Sequence, residues 1–157
     1  WEKRRERMKT TCRHCHSPGW ADNFFTQYDA AVELYNRKFA GPAAKIMEKL
    51  SGAGAITPTP FDDRIEWTYF LLWHHEGRRA RHGAAMMGPD YTQWHGFFEV
   101  ARRFYTEFLP EAERLSPGVS TGIMGSGDHS WMSGARDEIR SEIEAIYRNI
   151  YSAPRSR

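Results

Sequence analysis

Apolar residues fall at helical spacing over most of this chain. Trp20, Phe24, Tyr28, Ala31, Tyr35 and Phe39 recur every three to four residues, which predicts an amphipathic helix. Pro18 and Gly19 mark its start, and Gly41-Pro42 is expected to interrupt or kink it. The pattern resumes through Ala43–Leu50 and stops near Gly52–Gly54, before a stiff extended connector at Thr57-Pro58-Thr59-Pro60. A second helix is expected from Asp62-Asp63, acidic residues that suit a helix N-terminus. Ile65, Tyr69, Leu72 and Trp73 give it an apolar face, and it extends as far as Met86 although Gly77 and Gly83 weaken it. Gly88-Pro89-Asp90 ends it. A third stripe follows in Trp94, Phe97, Phe98, Ala101, Phe104, Tyr105 and Phe108, with Pro110 near its end. No segment alternates as a strand would, so the expected class is all-α.

The two ends read differently. Residues 1–10 are charged and basic, and a linker from an upstream segment is favoured there over a solvated helix end. Residues 116–134 are rich in Gly and Ser and are expected to form a flexible linker. Ile139, Ile143, Ile146 and Ile150 then predict a C-terminal amphipathic helix within a last region, 135–157. The expected organisation is thus a helical part over 1–115, a linker and a terminal helix with its tail.

Composition narrows the function. A net charge of +2 is too small to suggest a nucleic-acid partner. No apolar run approaches the roughly 18 residues that a transmembrane helix needs. Aromatic residues make up 14% of the chain, and such flat side chains could line a flat apolar cofactor or simply fill a core. The chain begins at Trp1 rather than Met, so it reads as a processed chain or a fragment.

The candidate chemistry lies at Cys12-Arg13-His14-Cys15-His16, which reads C-x-x-C-H, the attachment signature of a c-type haem. Two thiols at this spacing can each add to one vinyl group of a porphyrin, and the adjacent His16 imidazole can ligate the iron. These are the only two cysteines of the chain. Alternatives are half of a zinc site, a redox pair or a chance match. Zinc wants four N/S ligands and there is no second cysteine pair. A thioredoxin-like pair wants a βαβ context. The expected cofactor is therefore haem c, with its iron, held by Cys12, Cys15 and His16 within a set of long helices. Covalent attachment takes place outside the cytoplasm, so a periplasmic or other extracytoplasmic location follows, with an export signal upstream.

The most unusual stretch runs from Trp73 to Gly96. Histidine is a common second axial ligand of electron-transfer haems, and His74 and His95 are the candidates, with His75 and His82 behind them. A hydrogen-bonded polar histidine is the competing reading for each. Arg78, Arg79 and Arg81 could pair with haem propionates or form a solvated charged face. Met86 and Met87 could ligate iron or pack in a core.

Four blocks carry a family resemblance: C-R-H-C-H-S at 12–17, T-P-T-P-F-D at 57–62, W-H-H-E-G-R-R-A-R-H-G-A-A-M-M-G-P-D-Y-T-Q-W-H-G at 73–96 and F-Y-T-E-F-L-P-E-A at 104–112. Over roughly residues 10–115 the chain resembles the C-terminal part of the octahaem hydroxylamine oxidoreductase family, which includes hydrazine dehydrogenases. The resemblance implies a mostly helical, extracytoplasmic multihaem enzyme assembled as a homotrimer. Such an enzyme oxidises a small nitrogen substrate and passes electrons to a redox partner such as a cytochrome c. It implies that Cys12, Cys15 and His16 hold the last relay haem of the series. It implies that Tyr91 bonds covalently to the catalytic haem of a neighbouring subunit and favours oxidation over reduction. A full member carries eight C-x-x-C-H motifs and this chain carries one, so the catalytic haem and its acid/base residues would lie upstream. The alternative is a small monohaem or haem-free electron-transfer or interaction module without catalysis of its own.

Overall fold

The computed structural model describes residues 1–125 and 127–133, with Ser141, Glu144 and Ala145. Four continuous helices account for most of them, and no strand occurs among the described residues. Helix α1 is Glu2–Cys12. Helix α2 covers 18–52 and is about 50 Å long at 1.5 Å per residue. Helix α3 covers 64–85 and α4 covers 89–115. The class expected from the periodicity, all-α, is the one observed. No described helix is long and apolar enough to cross a membrane. Of the C-terminal helix expected within 135–157, Ser141, Glu144 and Ala145 are described, each as helix, and the rest lies outside the described residues.

Helices α2, α3 and α4 form an up-down-up bundle. The first half of α2 packs on Arg78–Ala85, the first turns of α3 on Phe104–Phe108, and the end of α4 on Gly41–Gly52. Tyr35, Phe39, Ile46, Leu50, Ile65, Val100, Phe104 and Phe108 meet in one core. Phe104 and Phe108 are fully buried, each contributing about 1.5–3 kcal/mol relative to exposure. The predicted stripes are therefore the core faces.

Two helix starts follow from local chemistry. Ser17 accepts a hydrogen bond from the Trp20 N–H and Pro18 occupies the first turn of α2. Before α3, Asp63 accepts from the Thr57 N–H at 2.8 Å, which folds the Thr-Pro connector back. The Gly41-Pro42 interruption takes the form of a π-helical turn, Asn36–Ala40, inside an unbroken helix. Proline has no N–H for the carbonyl of Lys38, four residues earlier. Further π turns occupy Leu72–Gly77 and Gln93–Phe98, which touch each other, and Phe104–Phe108. Such turns shift the helix face by a residue and are frequent at functional sites.

Two expectations at the ends differ from the structure. Residues 2–10 belong to a helix capped by Trp1 rather than to a linker, although that helix buries no residue. The segment expected as a Gly/Ser linker is a run of turns and a 3-10 helix, Gly127–Ser133, that seats Val119, Met124 and His129 against the bundle. Composition concealed this, because three buried side chains suffice to anchor a loop otherwise rich in glycine and serine.

Candidate functional site

The C-x-x-C-H motif forms the hairpin between α1 and α2. The N–H groups of Cys15 and His16 both donate to the carbonyl of Cys12, at 3.1 and 2.9 Å. This coil turns the chain back at Ser17. Cys12 is half-buried and Cys15 exposed, and both are free thiols. The His16 ring stacks on Trp20 with centroids 3.8 Å apart and planes 12° apart, and Trp20 stacks in turn on Phe24. Neither ring nitrogen of His16 has a hydrogen-bond partner among the described residues.

Helix α1 is held to α2 by charge rather than by apolar burial. Arg5 donates two hydrogen bonds to Asp29, at 2.5 and 2.7 Å, and its guanidinium lies over Phe25. Lys9 pairs with Asp22 at 3.0 Å and Arg13 with the same carboxylate at 3.3 Å. The hydrogen bond from Lys9 holds the Asp22 carboxyl below its ordinary range.

The histidines of α3 and α4 sit in the two touching π turns or just beyond. His74 lies on Phe70, with centroids 4.4 Å apart, and Arg78 donates to its Nδ1 at 3.0 Å. An arginine can only donate, so the His74 ring proton sits on Nε2 in this arrangement. The Nδ1 of His75 lies 3.4 Å from Glu76. His95 stands between two carboxylates, Nδ1 at 3.5 Å from Glu99 and Nε2 at 3.4 Å from Asp90. A carboxylate behind Nδ1 is the usual support of a metal-ligating imidazole, and Glu99 stands in that position, but Asp90 faces the Nε2 through which His95 would ligate. Neither ring nitrogen of exposed His82 has a hydrogen-bond partner among the described residues. These side chains do not converge with the cysteines. The one group of three or more His, Cys, Asp or Glu ligand atoms within 4.8 Å, among the described residues, is Asp62, Asp63 and Glu66. Asp62 and Asp63 there already accept hydrogen bonds from Thr57.

Tyr91 lies in the first turn of α4, which begins at Pro89 after extended Gly88. It is 57% exposed and its ring meets that of His95 at 5.5 Å. Behind it opens an apolar groove of about 1020 Å³, lined among others by Phe24, Leu34, Met87, Trp94, Phe97 and Phe98. Met86 and Met87 are exposed rather than buried in a core.

No pattern in the chain singles out His129. It is 2% exposed, its Nε2 donates to the Lys38 carbonyl at 2.8 Å, and its Nδ1 lies 3.0 Å from the Tyr105 hydroxyl, which must then donate. Burial lowers the His129 pKa. A lone histidine in a Gly/Ser-rich stretch carries no periodic signal, and Pro42 was the one clue that the Lys38 carbonyl needs a donor. Comparison of the chain with family models, with curated proteins and with solved structures finds no match.

Proposed function

We propose that this chain is the haem-c-bearing C-terminal part of a multihaem oxidoreductase that oxidises hydroxylamine or hydrazine. The observation that carries the reading is the hairpin at 12–16. It presents two free thiols three residues apart and, next to them, an imidazole with both nitrogens unengaged. These residues fit covalent attachment at Cys12 and Cys15 and iron ligation by His16. Haem held there supplies one-electron transfer. The Trp20 and Phe24 rings extend the flat wall on which His16 rests. His95, backed by Glu99, and His74 are the candidate axial ligands for this or a neighbouring haem; His74 would ligate through Nε2 only once Arg78 releases Nδ1 and the proton moves there.

Tyr91 is proposed to act between subunits. A helix start at Pro89 holds it at a corner, exposed, where its phenol is free to meet another chain. In the trimer that the family resemblance implies, it would bond to the catalytic haem of the adjacent subunit. The reading places the protein outside the cytoplasm, with a cytochrome-type redox partner. The presence of one C-x-x-C-H motif favours a second reading, a monohaem electron-transfer module without catalysis of its own.

Acidic acetone extraction of the exported protein tests attachment. Colour that stays with the polypeptide, and is lost in Cys12→Ala/Cys15→Ala, supports it; colour released into the organic phase rules thioether attachment out. In the complete enzyme, Tyr91→Phe is expected to yield subunits that separate on a denaturing gel and to abolish oxidation. Cross-linked, fully active subunits would remove Tyr91 from the site.

A further inference from the structure

We infer that the cleft between α2 and α3 is a binding site for an oxyanion group, a carboxylate or a phosphate, on a small ligand. This does not rest on the haem reading. The cleft has a volume of about 260 Å³ and is lined by Tyr28 from α2 and by Trp73, His74, Arg78, Arg81 and His82 from α3. Two guanidinium groups and two imidazoles thus face one space, and no carboxylate lines it. The three arginines of this stretch divide cleanly. Arg79 pairs with Glu99 at 3.1 Å. Arg78 and Arg81 pair with no carboxylate among the described residues. Arg78 spends one N–H on His74, which leaves the rest of its five donors unused. Arg81 is fixed as a wall, with Nε donating to the Gly77 carbonyl at 3.0 Å and its plane over the Tyr35 ring at 4.8 Å.

The tautomer strengthens the case. Arg78 occupies Nδ1 of His74, so Nε2 carries the proton and is a donor. His82 contributes a ring with no partner of its own. Every polar group named in the cleft can therefore donate, and uncompensated positive charge in a partly enclosed space attracts an anion able to accept several hydrogen bonds at once. The flat face of Trp73, half exposed, borders the site and suits a ligand with an apolar or planar body behind its acid group.

The test uses the full chain without haem and two kinds of probe. Inorganic phosphate is titrated calorimetrically. Protoporphyrin, which carries two propionates, is titrated by absorbance against its dimethyl ester, which carries none. Saturable binding of phosphate supports a free oxyacid as ligand. Binding of protoporphyrin at least about tenfold tighter than the diester, without phosphate binding, supports a porphyrin propionate. Either result requires that Arg78→Gln weaken the acid probe about tenfold or more, the loss expected for a charge-assisted hydrogen bond, and that Arg79→Gln leave it unchanged. Arg78 is exposed, so its replacement leaves the fold intact. The inference is overturned if phosphate does not saturate and the diester binds as well as the diacid. Equal losses in the Arg78 and Arg79 variants, or none in either, overturn it too. None of these readings uses Cys12 or Cys15, so failure here is separable from failure of thioether attachment.

Discussion

Gly96 of α4 lies directly against Ala80 of α3. A Cβ at Gly96 would stand 2.5 Å from the Ala80 Cα and 2.7 Å from its nitrogen. In an exposed helix, Gly→Ala gains about 1 kcal/mol from propensity. Here the obstacle is backbone, which cannot swing aside as a side chain can. Overpacking of this kind costs about 3 kcal/mol, so the clash wins. Gly96→Ala is expected to lower the urea midpoint and to disturb His95 beside it, whereas Gly52→Ala, which meets nothing, should not destabilise. A Gly96→Ala chain as stable as the parent would show that the two helices do not touch there.

His129 makes stability depend on pH with a defined sign. Burial disfavours its imidazolium, so its folded pKa lies below the ordinary 6.5. Between the two values the unfolded chain binds a proton that the folded chain does not. The contribution is therefore complete above pH 6.5 and is lost as pH falls through the lowered folded value. Melting temperatures at about pH 7.5 and about pH 5 should fall further apart in the parent than in His129→Gln, which cannot titrate. Equal falls in both would place the acid sensitivity elsewhere.

The helices were legible because their apolar stripes are long, and each of Phe39, Ile65, Phe104 and Phe108 is where a 3.6-residue period puts the core. What escaped was everything set by tertiary partners. The π turns are invisible to a moment of any fixed period, yet they decide how His74 and His95 are presented. Residues 2–10 form a helix through ion pairs with Asp22 and Asp29, which no apolar pattern announces. At the candidate site, the C-x-x-C-H spacing was readable at once. That Arg79 is taken by Glu99 while Arg78 and Arg81 are not depends on a carboxylate distant in sequence.

Buried Glu76 pairs with partly buried Arg103, which also holds Glu107 at 2.9 Å, and loss of the pair should be asymmetric. Glu76 is 2% exposed, and Arg103 donates to its Oε1 through Nε at 2.9 Å and Nη2 at 2.8 Å. The other oxygen, Oε2, has no hydrogen-bond partner among the described residues. Arg103→Ala strands a buried carboxylate and should cost about 3–5 kcal/mol. The double variant Glu76→Leu/Arg103→Met removes both charges and should recover most of that loss. Denaturant unfolding of the two variants decides it. A double variant no more stable than Arg103→Ala would mean that the pair contributes beyond neutralising Glu76.

Helix α1 positions the cysteine hairpin, and what holds it should yield to salt and acid before the bundle does. It buries no side chain of its own; Arg5–Asp29 and Lys9–Asp22 tie it to α2, with both cations over Phe25, and Arg13 at its C-cap adds a second contact to Asp22. The two carboxylates are about half exposed and the cations partly so, so added salt reaches and screens the pairs. The hydrogen bond from Lys9 lowers the Asp22 pKa below its ordinary 3.8. A lowered carboxylate pKa gives stability that is present above 3.8 and lost as pH falls through the folded value. Amide exchange read by mass spectrometry should therefore show Glu2–Cys12 losing protection first, on raising salt to about 1 M or on acidification toward pH 3. Asp22→Asn should reproduce that loss at neutral pH and low salt, because it removes the shared partner of Lys9 and Arg13 while keeping side-chain size. The core helix segment Arg64–Leu71 should keep its protection in the same samples. If α1 and that segment exchange together under every condition, the hairpin is not held by these pairs. If α1 alone opens, the thiols of Cys12 and Cys15 should also react faster with a maleimide in Asp22→Asn than in the parent, since Cys12 is half-buried only while α1 stays docked.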